Sequence, residues 1–217
     1  MLPYLNPLLL AKTLATVDVM SKGRLNVGVG VGALKPESDA LGSTFETRGR
    51  YADESIKIMR ELWESEDPEF DGEFFSFSGV KFSPKPIQKP GHPLLIGGAS
   101  RAALRRVATL GDGWHPIQQS IADLKQNIAT IHRLAGEAGR DPSEITVTVR
   151  TELDVLDSRS DGTESSMIGT ADQLRATIEQ YEEIGVSELV LSVSTDDVER
   201  IQRTQDRFAA QVIHGPS

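Results

Sequence analysis

A chain of 217 residues, 38% hydrophobic and 25% charged, can bury a sizeable core and is too apolar to stay disordered. Its net charge of −9 argues against nucleic acid or an anionic membrane as the main partner, and the absence of cysteine excludes disulfides and thiolate-bound metals and fits a cytoplasmic protein. Residues 1–7 have no basic region and the apolar run after them is broken by Lys12, so neither a signal peptide nor a membrane span is expected.

Asn6-Pro7 has the form of a helix start, with Asn as cap and Pro in the first turn. Leu10, Leu14 and Val17 then recur at helical spacing up to Met20, and Ser21-Lys22-Gly23 ends the run. Residues 25–32 place Leu25, Val27, Val29 and Val31 between small residues, which predicts a buried strand. Glycines at 28, 30 and 32 leave one side of it bare, so either another backbone or a flat ring could approach there. A polar loop with Glu37, Ser38 and Asp39 is expected next. Residues 48–63 read as a second helix, with Ala52, Ile56, Met59 and Trp63 on one face.

From about residue 67 to 93 aromatic alternation is broken by turn glycines and followed by prolines. This predicts an excursion with short strands, its aromatics forming a satellite core or, less simply, a lid. Residues 93–98 form a buried strand ending in Gly97-Gly98. Ser100 then caps a helix carrying Leu104, Val107 and Ala108. Residues 111–116 turn into a short strand containing Trp114 and His115. A helix over 121–138 uses Leu124, Ile128, Ile131 and Ala135, and residues 145–152 alternate as a strand. Residues 169–172 open a helix with Leu174, Ile178 and Tyr181, residues 187–193 make the last strand, and residues 196–212 the last helix. Strands alternating with helices imply a mostly parallel sheet flanked by helices. About five or six such repeats are visible, where a closed barrel needs eight strands.

Several motifs carry a resemblance. Leu2-Pro3-Tyr4-Leu5-Asn6-Pro7, then Ser21-Lys22-Gly23-Arg24-Leu25 running into Val27-Gly28-Val29-Gly30-Val31-Gly32, resembles the bacterial luciferase-like monooxygenase family. Arg48-Gly49-Arg50, Lys85-Pro86-Ile87-Gln88, Ile96-Gly97-Gly98 and Gly111-Asp112-Gly113-Trp114 do so in the same order. The branch most similar is that of oxidoreductases dependent on the deazaflavin coenzyme F-420, with FMN-dependent relatives close behind. The family's first strands would precede Leu2. The resemblance therefore implies an α/β, (βα)8 TIM-barrel-like fold, incomplete or open for want of those strands, with residues 1–217 as a single domain and the excursion inserted in it.

That resemblance also implies chemistry. The C-terminal ends of parallel barrel strands carry the site, which would set Gly30 and Gly32 beside the cofactor ring. Gly97, Gly98, Ala99 and Ser100 lead from a strand into a helix N-terminus suited to a phosphate; without the resemblance Ser100 is only a cap. Trp114 and His115 would end another strand on the same rim, His115 being a candidate for proton transfer. Glu37, Asp39 and Arg48 read more simply as a solvated loop and a helix start. The four histidines are scattered, and no metal site is expected. The implied function is hydride transfer or monooxygenation of a small organic substrate with coenzyme F-420 or FMN, the alternative being a non-catalytic flavin-binding or dimerising protein. An uncovered strand edge at the front predicts a homodimer or larger assembly.

Overall fold

In the computed structural model, which describes residues 1–160 and 165–215, the chain divides into two compact units, Met1–Gly113 and Trp114–Ser217. In the first, helix α1 (Pro7–Ser21) starts where the Asn6 side chain accepts from the amides of Leu8 and Leu9, and it stops at Lys22 in the left-handed conformation. Strand β1 (Val27–Val29) follows. It is shorter than the eight-residue strand expected, and of its three residues Val29 alone is buried. Glycines at every second position contribute no side chain to bury, and past Val29 the Gly30 carbonyl accepts instead from Leu2 N at 2.9 Å, in the turn Leu2–Tyr4.

The polar loop expected next is instead a short helix, α2 (Lys35–Ala40). Pro36 sits in its first turn and Lys35 pairs with Asp39 one turn later at 2.9 Å, the i,i+4 arrangement that favours helix. Helix α3 (Arg48–Glu64) buries Ala52, Ile56, Met59 and Trp63 as the spacing predicts. It is joined to α1 by a hydrogen bond from Trp63 Nε1 to Ala11 O at 3.2 Å.

Residues 67–93 hold a small antiparallel hairpin, β2 (Phe70–Asp71) and β3 (Ser76–Phe77). The buried Glu54 carboxylate on α3 accepts from the turn amides of Glu73, Phe74 and Phe75 at 2.8, 2.9 and 2.7 Å. Phe74 and Phe75 also pack on the Tyr51 ring, so the aromatics form a satellite cluster against α3. Strand β4 (Leu94–Gly97) is buried and pairs in parallel with β1, Val29 opposite Ile96. Helix α4 (Arg101–Leu110) buries Leu104, Val107 and Ala108. Strand β5 (Gly113–His115) follows.

The second unit is built on the long strand β6 (Thr146–Val155), which extends three residues beyond the expected end. Helix α5 (Ile121–Glu137) precedes it and buries Leu124, Ile128, Ile131 and Ala135. Strand β7 (Met167–Gly169) was not expected, since three residues are too few for a periodic signal; it pairs in parallel with Leu153 to Val155 of β6. Thr170 and Gln173 then form a reciprocal capping box at the start of α6 (Ala171–Glu183), which satisfies two of the amides that a helix start leaves over. Strand β8 (Glu188–Ser192) lies parallel to Thr148–Glu152 of β6. Helix α7 (Val198–Phe208) relaxes into a π-helical turn over Ala209–Ile213. Among the described residues no helix is long and apolar enough to cross a membrane.

Candidate functional site

Because β1 and β4 run in parallel with Val29 opposite Ile96, the residues that follow each strand reach one rim of the first unit. Gly97 ends β4, and Gly98 turns the chain with φ +93°, a backbone region that strains any residue with a Cβ. Ser100 holds the N-cap of α4, its hydroxyl accepting from Ala103 N at 3.2 Å. Gly98 and Ser100 are exposed and Gly97 and Ala99 half-buried. This is an accessible helix N-terminus directly after a strand, where dipole and amides favour an anion.

Gly30 and Gly32 reach the same rim, but their bare sides face the chain's own residues. A Cβ on Gly30 would come 3.0 Å from Met1 Sδ, and one on Gly32 would collide with the Tyr4 hydroxyl. Gly32 has φ +80°, so glycine is required there both by the backbone and by the phenol above it. Tyr4 donates to Glu37 Oε2 at 3.2 Å. Arg48 closes the cluster: its Nε donates to Gly32 O at 3.2 Å and its Nη1 to Phe45 O at 2.7 Å, with the guanidinium 3.6 Å over the Phe45 ring. Burial, the bond to Glu37 and that carboxylate's charge hold the Tyr4 phenol above its ordinary range, while Arg48 pulls the other way. Tyr4, Glu37 and Arg48 thus form a constellation that sequence reading missed. Their contacts span 28 or more positions or run through a backbone carbonyl, and no local pattern signals either.

In the second unit, Trp114 is fully buried and His115 half-buried. His115 Nδ1 lies 2.6 Å from Oγ1 of the buried Thr148. Burial and then the charge of Arg150 depress the His115 pKa, against the opposite pull of Glu188. The imidazole is therefore neutral at pH 7, with one nitrogen engaged by Thr148. Among the described residues no three His, Asp or Glu side chains converge as a metal site would need.

Comparison with known proteins adds the following. The family model for luciferase-like monooxygenases matches residues 1–165. An uncharacterized protein of Mycobacterium tuberculosis is 37% identical over 147 residues, 67% of this chain and 50% of that protein. The FMNH2-dependent dimethylsulfone monooxygenase of Pseudomonas putida is 31% identical over 137 residues, 62% of this chain and 38% of the enzyme. The chain spans about half the length of the curated relatives it matches. Among solved structures, a monooxygenase from Streptomyces bottropensis superposes with a TM-score of 0.84 at 24% identity, covering 98% of this chain and 75% of that one. An F-420-dependent secondary alcohol dehydrogenase, solved with an F-420-acetone adduct, gives 0.81 at 24%, covering 98% and 76%. At such identity the likeness concerns the fold, an incomplete TIM-barrel-like α/β architecture as the sequence implied.

Proposed function

The chain belongs to the luciferase-like monooxygenase family, and from that premise we propose that it is a flavin- or deazaflavin-dependent oxidoreductase acting on a small organic substrate. The observation that supports this most is the rim where β4 passes through Gly97-Gly98 into the capped start of α4. FMN and coenzyme F-420 both carry a phosphate, and the amides that open α4 with the Ser100 hydroxyl offer a place for it that needs no basic side chain. The backbone there suits a close approach: Gly98 is exposed at φ +93°, a conformation that a residue with a Cβ adopts only under strain.

The bound cofactor supplies the redox chemistry; the protein's part is to hold and orient it and to manage protons around the substrate. On this reading the phosphate lies at Gly97, Gly98, Ala99 and Ser100, and the ring lies toward the end of β1. There the boundary is the Tyr4 phenol and Met1 rather than bare Gly30 and Gly32. Trp114, expected to bind cofactor, is fully buried in its own unit and offers no surface to a ligand, while His115 in that unit, neutral and tied to Thr148, keeps only the chemistry of a proton-transfer group. The names of the relatives support both cofactors, FMNH2 for the dimethylsulfone monooxygenase and F-420 for the alcohol dehydrogenase.

The test is direct. The purified chain is titrated with FMN and with coenzyme F-420, binding being followed by the cofactor's absorbance, and the reduced complexes are then offered oxygen or carbonyl substrates. Saturable binding of one cofactor with turnover supports the enzyme. Binding without turnover favours a flavin-binding protein, and no binding of either overturns the reading.

A further inference from the structure

We propose that Tyr4 is the proton-donating residue of this site and that Glu37 positions it, an inference that rests on the oxidoreductase reading above. Three observations separate this pair from an ordinary surface hydrogen bond. First, the phenol occupies the one place that the missing side chain of Gly32 leaves open, so sequence and backbone at 32 are both fitted to it. Second, the segment carrying Tyr4 is tied down on both sides of it. Leu2 N donates to Gly30 O at 2.9 Å and Tyr51 Oη donates to Leu5 O at 3.1 Å. Third, Gly32, against which the phenol packs, lies past the C-terminal end of β1, on the side where parallel α/β sheets carry their chemistry.

The charged groups that face the phenol are Glu37 on α2 and Arg48 on α3. The carboxylate accepts the phenol's proton and keeps the group protonated at neutral pH, and turning the O–H from Glu37 to a substrate oxygen makes it the acid. A bound reduced flavin or deazaflavin would supply hydride to a carbonyl carbon of the substrate, and the C=O pair would move onto oxygen. That oxygen takes the Tyr4 proton, and the O–H electron pair stays on Tyr4 as phenolate. The Arg48 charge offsets part of the repulsion between this phenolate and the Glu37 carboxylate until a proton from solvent restores the phenol. Two electrons and two hydrogens thus pass to the substrate, leaving an alcohol.

Tyr4→Phe and Glu37→Gln test this in the full chain. Without cofactor, ultraviolet titration of the phenols should lose one late-titrating group in Tyr4→Phe, and Glu37→Gln should move that group to lower pH. With cofactor, Tyr4→Phe should keep the wild-type circular-dichroism spectrum and still bind cofactor saturably. Its reduction of aldehydes and ketones should fall by about a hundredfold or more, the range of a lost general acid, and the alkaline limb of its pH profile should vanish. Turnover by Tyr4→Phe at the wild-type rate, or a phenol titration unmoved by Glu37→Gln, overturns the proposal while leaving the oxidoreductase reading intact. Failure of the wild-type chain to bind either cofactor overturns both. Binding with no turnover of any carbonyl compound overturns the proton-donor role alone. Should Tyr4→Phe not fold, unchanged kinetics and pH profile in Glu37→Gln would overturn it.

Discussion

Ser100 stands where two demands on one hydroxyl compete. As a cap it accepts from Ala103 N, and its loss should lower stability by roughly 1 kcal/mol. If it also binds the cofactor phosphate, Ser100→Ala should weaken affinity by about 1.5 to 3 kcal/mol, the worth of a hydrogen bond to a charged group. Isothermal titration of FMN against riboflavin separates the two, because a phosphate contact must disappear for the ligand lacking phosphate; equal losses for both would leave Ser100 as a cap. His92 offers a second prediction at this scale. Fully buried against Trp63, with ring centroids 4.0 Å apart, it has no hydrogen-bond partner at either ring nitrogen among the described residues. Burial depresses its pKa, and Arg60 adds to this, while Asp18 and Asp112 oppose it. The folded chain therefore keeps His92 neutral where the unfolded chain protonates near pH 6.5. Its contribution is complete above that pH and is lost as pH falls below it toward the depressed folded value, with a slope of at most about 1.4 kcal/mol per pH unit. Melting temperatures of the wild type and of His92→Phe should diverge in that window, the variant losing less; parallel curves would contradict the assignment.

Among the elements, the hairpin depends most on a single side chain. Three turn amides converge on the Glu54 carboxylate, and a Cβ on Gly72 would come 2.6 Å from its Cδ, so the turn is moulded around that acceptor. Glu54→Ala strips all three bonds and opens a gap, and should cost on the order of 2 to 4 kcal/mol. Hydrogen exchange should accelerate at Glu73, Phe74 and Phe75 before it does in β4. An unchanged exchange pattern would mean that the Tyr51, Phe74 and Phe75 rings hold the hairpin without the carboxylate.

For the molecule as a whole, α1 raises the question of assembly. Its Pro7, Ala11 and Ala15 are buried, yet Leu9 and Met20 are 71% and 78% exposed and Val17 40%. Large apolar side chains gathered on the outer side of one helix mark a surface that a partner covers. Lys12 is the one charged residue exposed along it and donates to Ser83 O, so the helix brings no exposed carboxylate to a contact between copies of a chain of net charge −9, the two Lys12 being the like charges to keep apart. We expect a homodimer through this face. Sedimentation should show it, and Leu9→Asp with Met20→Asp should shift the equilibrium to monomer; a wild-type monomer at all concentrations would dismiss it.

What the sequence determined by itself is what is local: Asn6 and Ser100 as caps, the buried faces of α3 and α5, and the order of strands and helices that implies a parallel α/β fold. These follow from one residue's side chain or from a period of 3.6, and neighbours along the chain suffice to express them. Tertiary structure decided the rest. The strand at residues 25–32 shrank to three paired residues because its glycines bury nothing, and β7 arose because β6 was there to pair with it. Gly30 and Gly32 read as vacant positions in the sequence, but Met1 and Tyr4 fill the space above them. That filling, and the joining of Tyr4, Glu37 and Arg48 around Gly32, depends on contacts between residues far apart in the chain. Such contacts exist only once β1 and the helices after it are packed.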